Sequence, residues 1–330
     1  MILASVRLMI LLAVGMGTLS VWAQTPLSST NGSSVTVPPL DPVLVRAKSL
    51  FEKGDVLDAE QLTRSYLESH HPSADGHFLL GLILFKEVKA KDSLAEYSAG
   101  AKYRDPSAYD LEVVGLNYVL LNDYMDADKW LSKSVQVDAH NWETWYYLGR
   151  TKYNENRFEE AVNAFRQALK LSPENVKAED NLGLSYEGLG RRQEAEQTYR
   201  DAIRWQSQLL QQNPQPYLDL GMLLVEQSRP QDAIPYLRQA VQISPQDPKA
   251  HQQLGRAYER LNRLAEAQVE LEQAVDASPN DGALHYVLGQ IYRRQGMKDK
   301  AEAEFEKATE LKSIQAGAQV ISPAGNPRVH

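Results

Sequence analysis

One spacing dominates this sequence. A glycine preceded by an apolar residue recurs at Gly81, Gly115, Gly149, Gly183, Gly221, Gly255 and Gly289, at intervals of 34 residues with a single interval of 38. Twelve residues beyond each glycine stands Ser93, Ala127, Ala161, Ala195, Ala233, Ala267 or Ala301. Four further stands a bulky residue: Tyr97, Leu131, Phe165, Tyr199, Leu237, Leu271 or Phe305. Five copies add an alanine at 168, 202, 240, 274 or 308, and a weaker copy opens the series with Ala47, Gly54 and Ala59. A chain built this way folds as a linear array of one small unit.

The unit is a helix pair. In the fourth copy Trp145, Leu148, Gly149 and Lys152 fall on one face of a first helix, and Ala161, Phe165, Ala168 and Leu169 on one face of a second. Small residues stand where the two backbones approach, and the outer apolar face must be buried by the next pair. Pro173, Pro245 and Pro279 end second helices.

The order Trp/Tyr, Leu-Gly, Tyr, Ala, Phe/Tyr, Ala, Pro on a 34-residue period resembles the tetratricopeptide repeat over about 276 of 330 residues. The resemblance implies an all-α fold, an α-solenoid (right-handed superhelix) of about eight helix–turn–helix repeats. Their bounds are 40–73, 74–107, 108–141, 142–175, 176–213, 214–247, 248–281 and 282–315. It also implies a concave groove, lined by the first helices, that binds partner proteins or peptides. Four residues beyond the period follow Ala202, about one helical turn. They predict a longer second helix in the fifth repeat, with Trp205 core-facing and Leu209 or Leu210 covering extra surface. Pro235 predicts a kink or a delayed start in the second helix of the sixth repeat. After Ser313 no capping helix is legible, so the array is expected to end exposed, with 316–330 as a disordered tail.

Ahead of the array, Arg7 precedes an apolar run from Leu8 to Trp22 that ends at Ala23. The run is shorter than the ~20 residues a membrane span needs. It has the form of a secretory signal peptide, 1–23, which predicts cleavage after Ala23 and a secreted or periplasmic protein with no membrane-integral part. Residues 24–39 are rich in Ser, Thr and Pro and read as a flexible linker. The net charge of −8 argues against general nucleic-acid binding, and the absence of cysteine excludes disulfides, thiol catalysis and zinc–thiolate sites.

No phosphate loop or catalytic motif occurs, and the repeats occupy the length a catalytic domain would need, so the chain is read as a non-enzyme without cofactor or metal. His70, His71 and His77 form the one histidine cluster. His77, His251 and His285, however, fill the slot that holds Trp145 in the fourth repeat, and read as packing residues.

Function is therefore expected on the groove face, opposite the buried stripe of each first helix. A helical-wheel reading places there Phe51, Phe78, Leu82, Phe85, Leu116, Tyr146, Arg150, Tyr153, Met222, Arg256, Arg260, Arg293 and Arg294, with Glu112, Asp180 and Glu187 among them. The N-terminal half is apolar and aromatic and the C-terminal end basic. Phe78, Phe85 and Tyr146 are the expected anchor positions for a partner, and the arginines the expected steering charges. The known carboxylate-clamp subfamily carries asparagine in slots held here by Lys48, Leu82, Leu116, Arg150, Leu184, Met222, Arg256 and Gln290, so that role is not expected. The sequence predicts a scaffold for a protein or peptide partner, monomeric or weakly self-associating. A subunit of a cell-envelope export or assembly machine, and a non-catalytic accessory of an enzyme or polysaccharide-handling complex, stay open as alternatives.

Overall fold

A computed structural model describes residues 40–321, with side chains to Ile314. Among the described residues there are sixteen α-helices and no strand. They form two compact units divided after Leu171. The first holds α1 (Pro42–Lys53), α2 (Val56–Ser69), α3 (Ala74–Lys86), α4 (Ala90–Gly100), α5 (Ala108–Leu120), α6 (Tyr124–Val137), α7 (Trp142–Asn154) and α8 (Phe158–Leu171). The second holds α9 (Val176–Gly188), α10 (Arg192–Gln206), α11 (Gln215–Glu226), α12 (Pro230–Ile243), α13 (Pro248–Arg260), α14 (Leu264–Ala277), α15 (Gly282–Arg294) and α16 (Lys298–Ile321). Each is a stack of four antiparallel pairs in which a helix packs on its pair-mate and on the next pair. The expected signal peptide and linker lie outside the described residues.

Local chemistry sets each boundary. First helices open on side-chain caps: Asp41, Ser73, Asn141, Asn175, Asp247 and Asp281 each accept a bond from a first-turn N–H. Ser107 and Asp110 complete a reciprocal capping box. Every first helix closes through one left-handed residue: Gly54, Val88, Asn122, Asn156, Gly190, Ser228, Asn262 or Gly296. The next N–H then reaches back to the helix, as Lys89 does to the Leu84 carbonyl and Arg157 to that of Lys152, both at 2.9 Å.

The repeated glycine is a contact point. A β-carbon on Gly149 would lie 2.7 Å from the Phe165 ring, and one on Gly221 2.5 Å from the Leu237 side chain. The residue sixteen after each marker (Thr63, Tyr97, Leu131, Phe165, Tyr199, Leu237 and Leu271) is at most 2% exposed in the first seven repeats. Phe305, its counterpart in the eighth, is only half-buried.

Three expectations change. The extra residues of the fifth repeat do not lengthen its second helix by a turn, since α10 has 15 residues against the usual 14. They form a loop closed by Gln206, whose amide donates to the Asn213 carbonyl (3.0 Å) and accepts from its N–H (2.7 Å). Trp205 is half-buried, but Leu209 and Leu210 are exposed and cover nothing. Pro235 does not delay α12, which starts at Pro230 in register with the other repeats and runs through Pro235, whose ring lies on the exposed side. Finally, helical backbone continues to Ile321 through the first residues of the expected tail, and 322–330 lie outside the described residues.

Candidate functional site

In the first unit the structure separates the expected groove residues into two levels. Phe78 and Phe85 are 4% and 9% exposed and belong to a core cluster with Tyr97, Val113 and Val114. The Phe78 ring stacks 5.8 Å from that of Tyr97 and fills the space left by Gly100. Tyr146, 9% exposed, packs against Tyr147 at 5.5 Å and Phe165 at 5.9 Å, with the Arg150 guanidinium 5.7 Å above its ring. These three residues are a floor rather than accessible anchors. The physical reason is a third contact: α3 touches α1 and α5 as well as the second helices beside it, so positions opposite the α4 contact are also covered. Above this floor, Phe51, Leu82, Leu116, Arg150 and Tyr153 are half-buried, Leu82 and Leu116 packing onto the cluster from the outside.

Glu112 sits within the same wall at 5% exposure. One carboxylate oxygen accepts from Asn141 Nδ2 at 3.0 Å and from the Thr144 hydroxyl. Burial lifts its carboxyl to about 7; the Thr144 bond opposes this and the Glu143 charge adds to it.

The second unit differs. Leu218 and Val225 are buried, and Leu184 and Met222 half-buried. The same two first helices carry two buried carboxyls, Asp180 on α9 and Asp219 on α11. Gln215 Nε2 donates to both oxygens of Asp219 at 2.9 Å, while Asp180 Oδ1 has no hydrogen-bond partner. Burial, with Asp219 adding its charge, pushes Asp180 well above the carboxylate range. Glu187, one face along α9, accepts from the Tyr199 hydroxyl at 2.5 Å, and burial raises it to about 7 against that bond. Farther along, Arg256, Arg260, Arg293 and Arg294 are exposed as expected, but not equally available. Arg294 donates to Glu259 (2.8 Å) and Asn262 (3.0 Å), and Arg293 lies 5.6 Å over the Phe305 ring.

The histidines of the aromatic slot turn out to be polar braces. His77, His251 and His285 each place Nδ1 2.6–2.7 Å from a carboxylate nineteen residues on, in Glu96, Glu270 and Glu304. Nε2 of His251 and His285 faces the carbonyl six residues back, of Pro245 and Pro279. Trp145 Nε1 donates to the Ala139 carbonyl across the same six residues at 2.9 Å. The recurring His–Glu spacing is visible in the sequence, but the carbonyl partner is not. His70 stacks on Tyr66 at 4.3 Å, and among the described residues no group of three or more His, Asp or Glu is placed to hold a metal ion.

Among the described residues no helix is long and apolar enough to cross a membrane. Family profiles described as tetratricopeptide repeat match residues 142–175 and 224–277, and one matches 44–109, 181–248 and 253–316, more than half of the chain. The human protein O-mannosyl-transferase TMTC3 is 32% identical over 77 residues, which are 23% of this chain and 8% of that protein. The mouse BBSome complex member BBS4 is 23% identical over 144 residues, 44% of this chain and 28% of that one. The chain thus spans a minor part of the curated relatives it matches. Among solved structures, the APC/C hetero-tetramer Cut9–Hcn1 superposes with a TM-score of 0.55 at 22% identity, covering 82% of this chain and 52% of that one. PilF of Pseudomonas aeruginosa gives 0.53 at 19%, covering 62% and 92%. At such identities the likeness is one of fold.

Proposed function

The chain belongs to the tetratricopeptide-repeat family, and from that premise we propose that it is an exported scaffold that binds a protein or peptide through the first helices of its repeats. The observation behind this is the pair Leu82 and Leu116, in the same slot of consecutive first helices and half-exposed above a buried aromatic floor. A surface of this kind takes apolar side chains of an extended or helical segment, with the rigid floor keeping the ordering cost low. In the second unit Arg256 and Arg260 attract an acidic segment and act mainly on the association rate. Export rests on Arg7, the apolar run from Leu8 to Trp22, and Ala23. We assign no catalytic residue.

Affinity capture with the mature chain in extracts of its native host, read by mass spectrometry, identifies the partner. Leu82→Asp with Leu116→Asp, checked for intact helicity, should release it through faster dissociation. Retention at wild-type affinity rejects the first-unit surface. N-terminal mass spectrometry of the native protein should find Gln24 first, and a chain beginning at Met1 rejects cleavage.

A further inference from the structure

Among the described residues the eighth repeat leaves open a face that is covered in the other repeats. Phe305 holds the slot whose seven counterparts are buried, yet it is half-exposed. Beside it opens a cleft of about 670 Å³, lined by Arg293 of α15 and by Lys298, Ala301, Glu302, Phe305, Glu306 and Thr309 of α16. The α16 positions are those onto which, one repeat earlier, α15 packs over α14, where Leu271 is fully buried.

The junctions inside each unit show what such a face receives. In the first, third and fifth repeats the residue after the repeated alanine is a carboxylate, and it accepts from a basic residue at the start of the next second helix. Glu60 meets Lys89 at 3.4 Å, Asp128 meets Arg157 at 2.6 Å and Glu196 meets Arg229 at 2.8 Å. Four residues farther along, Glu272 accepts from Tyr292 Oη at 2.7 Å, the tyrosine lying on the incoming first helix. Lys152, five residues before Arg157, reaches Asp128 from the same direction at 2.6 Å. In the eighth repeat Glu302 and Glu306 occupy these two acceptor slots, and both are exposed.

We propose that the open face of α16 around Phe305 is a second docking surface, which takes an amphipathic α-helix of another protein bearing a tyrosine or lysine followed five residues later by arginine or lysine. The apolar side of that helix sits on Phe305, a tyrosine meets Glu306 as Tyr292 meets Glu272, a lysine meets Glu302 as Lys152 meets Asp128, and the basic residue beyond its turn meets Glu302 as Arg157 meets Asp128. The occupant continues the array in trans. A second copy of this chain is a poor match, because its first repeat brings Leu50 and Asp55 to the two slots, an acid against Glu302. This surface borders the first-helix groove at Arg293, whose guanidinium lies over the Phe305 ring, but Leu82 and Leu116 belong to the other unit, so either docking site can fail alone.

The test uses the intact mature chain and a capped synthetic peptide copying residues 142–160, which carries Lys152 and Arg157 at the required spacing. Calorimetry should show saturable 1:1 binding. Glu302→Lys with Glu306→Lys should weaken it about tenfold or more, and a peptide with Lys152→Glu and Arg157→Glu should bind that variant better than the wild type. No saturable binding, or binding indifferent to both charge reversals, overturns the proposal. So does a gain of about tenfold on Arg328→Glu, which would make the chain's own C-terminal segment the occupant. Concentration-dependent self-association in sedimentation, lost on Phe305→Glu, would assign the face to a second copy and likewise overturn it.

Discussion

The ring of Tyr199 occupies the space that a β-carbon on residue 183 would fill. Gly183 is thus a contact between α9 and α10, and the same ring then delivers its hydroxyl to Glu187. Gly183→Leu must displace a fully buried tyrosine and should cost ~1–3 kcal/mol. Because each repeat is stabilised by its neighbours, urea unfolding should also become less cooperative. A transition superimposable on the wild type would contradict the close approach.

Val88 closes α3 in the left-handed region at φ 62°, where a β-branched side chain crowds its own backbone. Asparagine stands in the same slot at 122, 156 and 262. Val88 is 49% exposed, so little packing is lost by replacing it. Val88→Asn should therefore stabilise the chain by ~0.5–1.5 kcal/mol, seen as a higher melting temperature. An unchanged or lower melting temperature would show that the turn stores no strain there.

His285 bridges the Pro279 carbonyl and the Glu304 carboxylate. His285→Ala removes both bonds and most of the ring's packing, and should cost ~2–4 kcal/mol. His285→Trp retains a ring donor directed as Trp145 directs its own toward Ala139, so it should cost less. Equal losses would mean that the ring donor contributes nothing.

Folding raises the carboxyls of Glu112, Glu179 and Glu187 from 4.5 to about 7, in each case chiefly by burial. Between those values the folded chain holds more protons than the unfolded one. The stability carried by the protonated acids is complete below about pH 4.5 and is lost as pH climbs through 7. Asp128, Glu60 and Glu196 run the other way: burial raises them, but Lys152 and Arg157, Arg64 and Lys89, and Arg200 and Arg229 more than reverse it. Their contribution is lost as pH falls through their lowered values. Stability should therefore peak on the acid side of neutrality. Glu112→Gln, whose amide oxygen can still accept from Asn141 and Thr144, should gain on the order of 1–3 kcal/mol over wild type at pH 8 and little at pH 5. Parallel stability profiles from pH 5 to 8 would remove Glu112 as a source.

The loop after α10 separates energetic from incidental residues. Gln206, 1% exposed, satisfies both polar groups of the Asn213 backbone, so Gln206→Ala should cost ~1–3 kcal/mol. Leu210→Ser, at a fully exposed side chain, should stay within ~0.5 kcal/mol. Chemical denaturation of the two variants checks the contrast.

The helix pairs were legible because glycine, alanine and the bulky residue recur where backbones must touch, a constraint written along one chain direction. Pro173, Pro245 and Pro279 follow their helices by two residues, as read. The groove was harder. A helical wheel distinguishes one buried face from one free face, whereas α3 is flanked by α1 and α5 as well, which sinks Phe78 and Phe85. Asp180 is legible as a groove-face residue, but its pairing with Asp219 is not, because the two stand 39 residues apart in sequence on different helices. The extra residues after Ala202 suggested another helical turn from their number alone. The Gln206–Asn213 clasp that instead makes them a loop has no periodic signature.

The cation–carboxylate bridges Lys89–Glu60, Arg157–Asp128 and Arg229–Glu196 join the first repeat to the second, the third to the fourth and the fifth to the sixth. The same slot in the second, fourth and sixth repeats holds Leu94, Val162 and Ile234, which accept no charge. Within the first unit a clasp thus joins the first repeat to the second and the third to the fourth, with Leu94 marking the apolar seam between them. Each clasp carries a cation about two-fifths exposed and contributes too little to weld two repeats into one mechanical element. Drawn out by its ends, the unit should therefore yield repeat by repeat, each step releasing some 34 residues and on the order of 12 nm of slack.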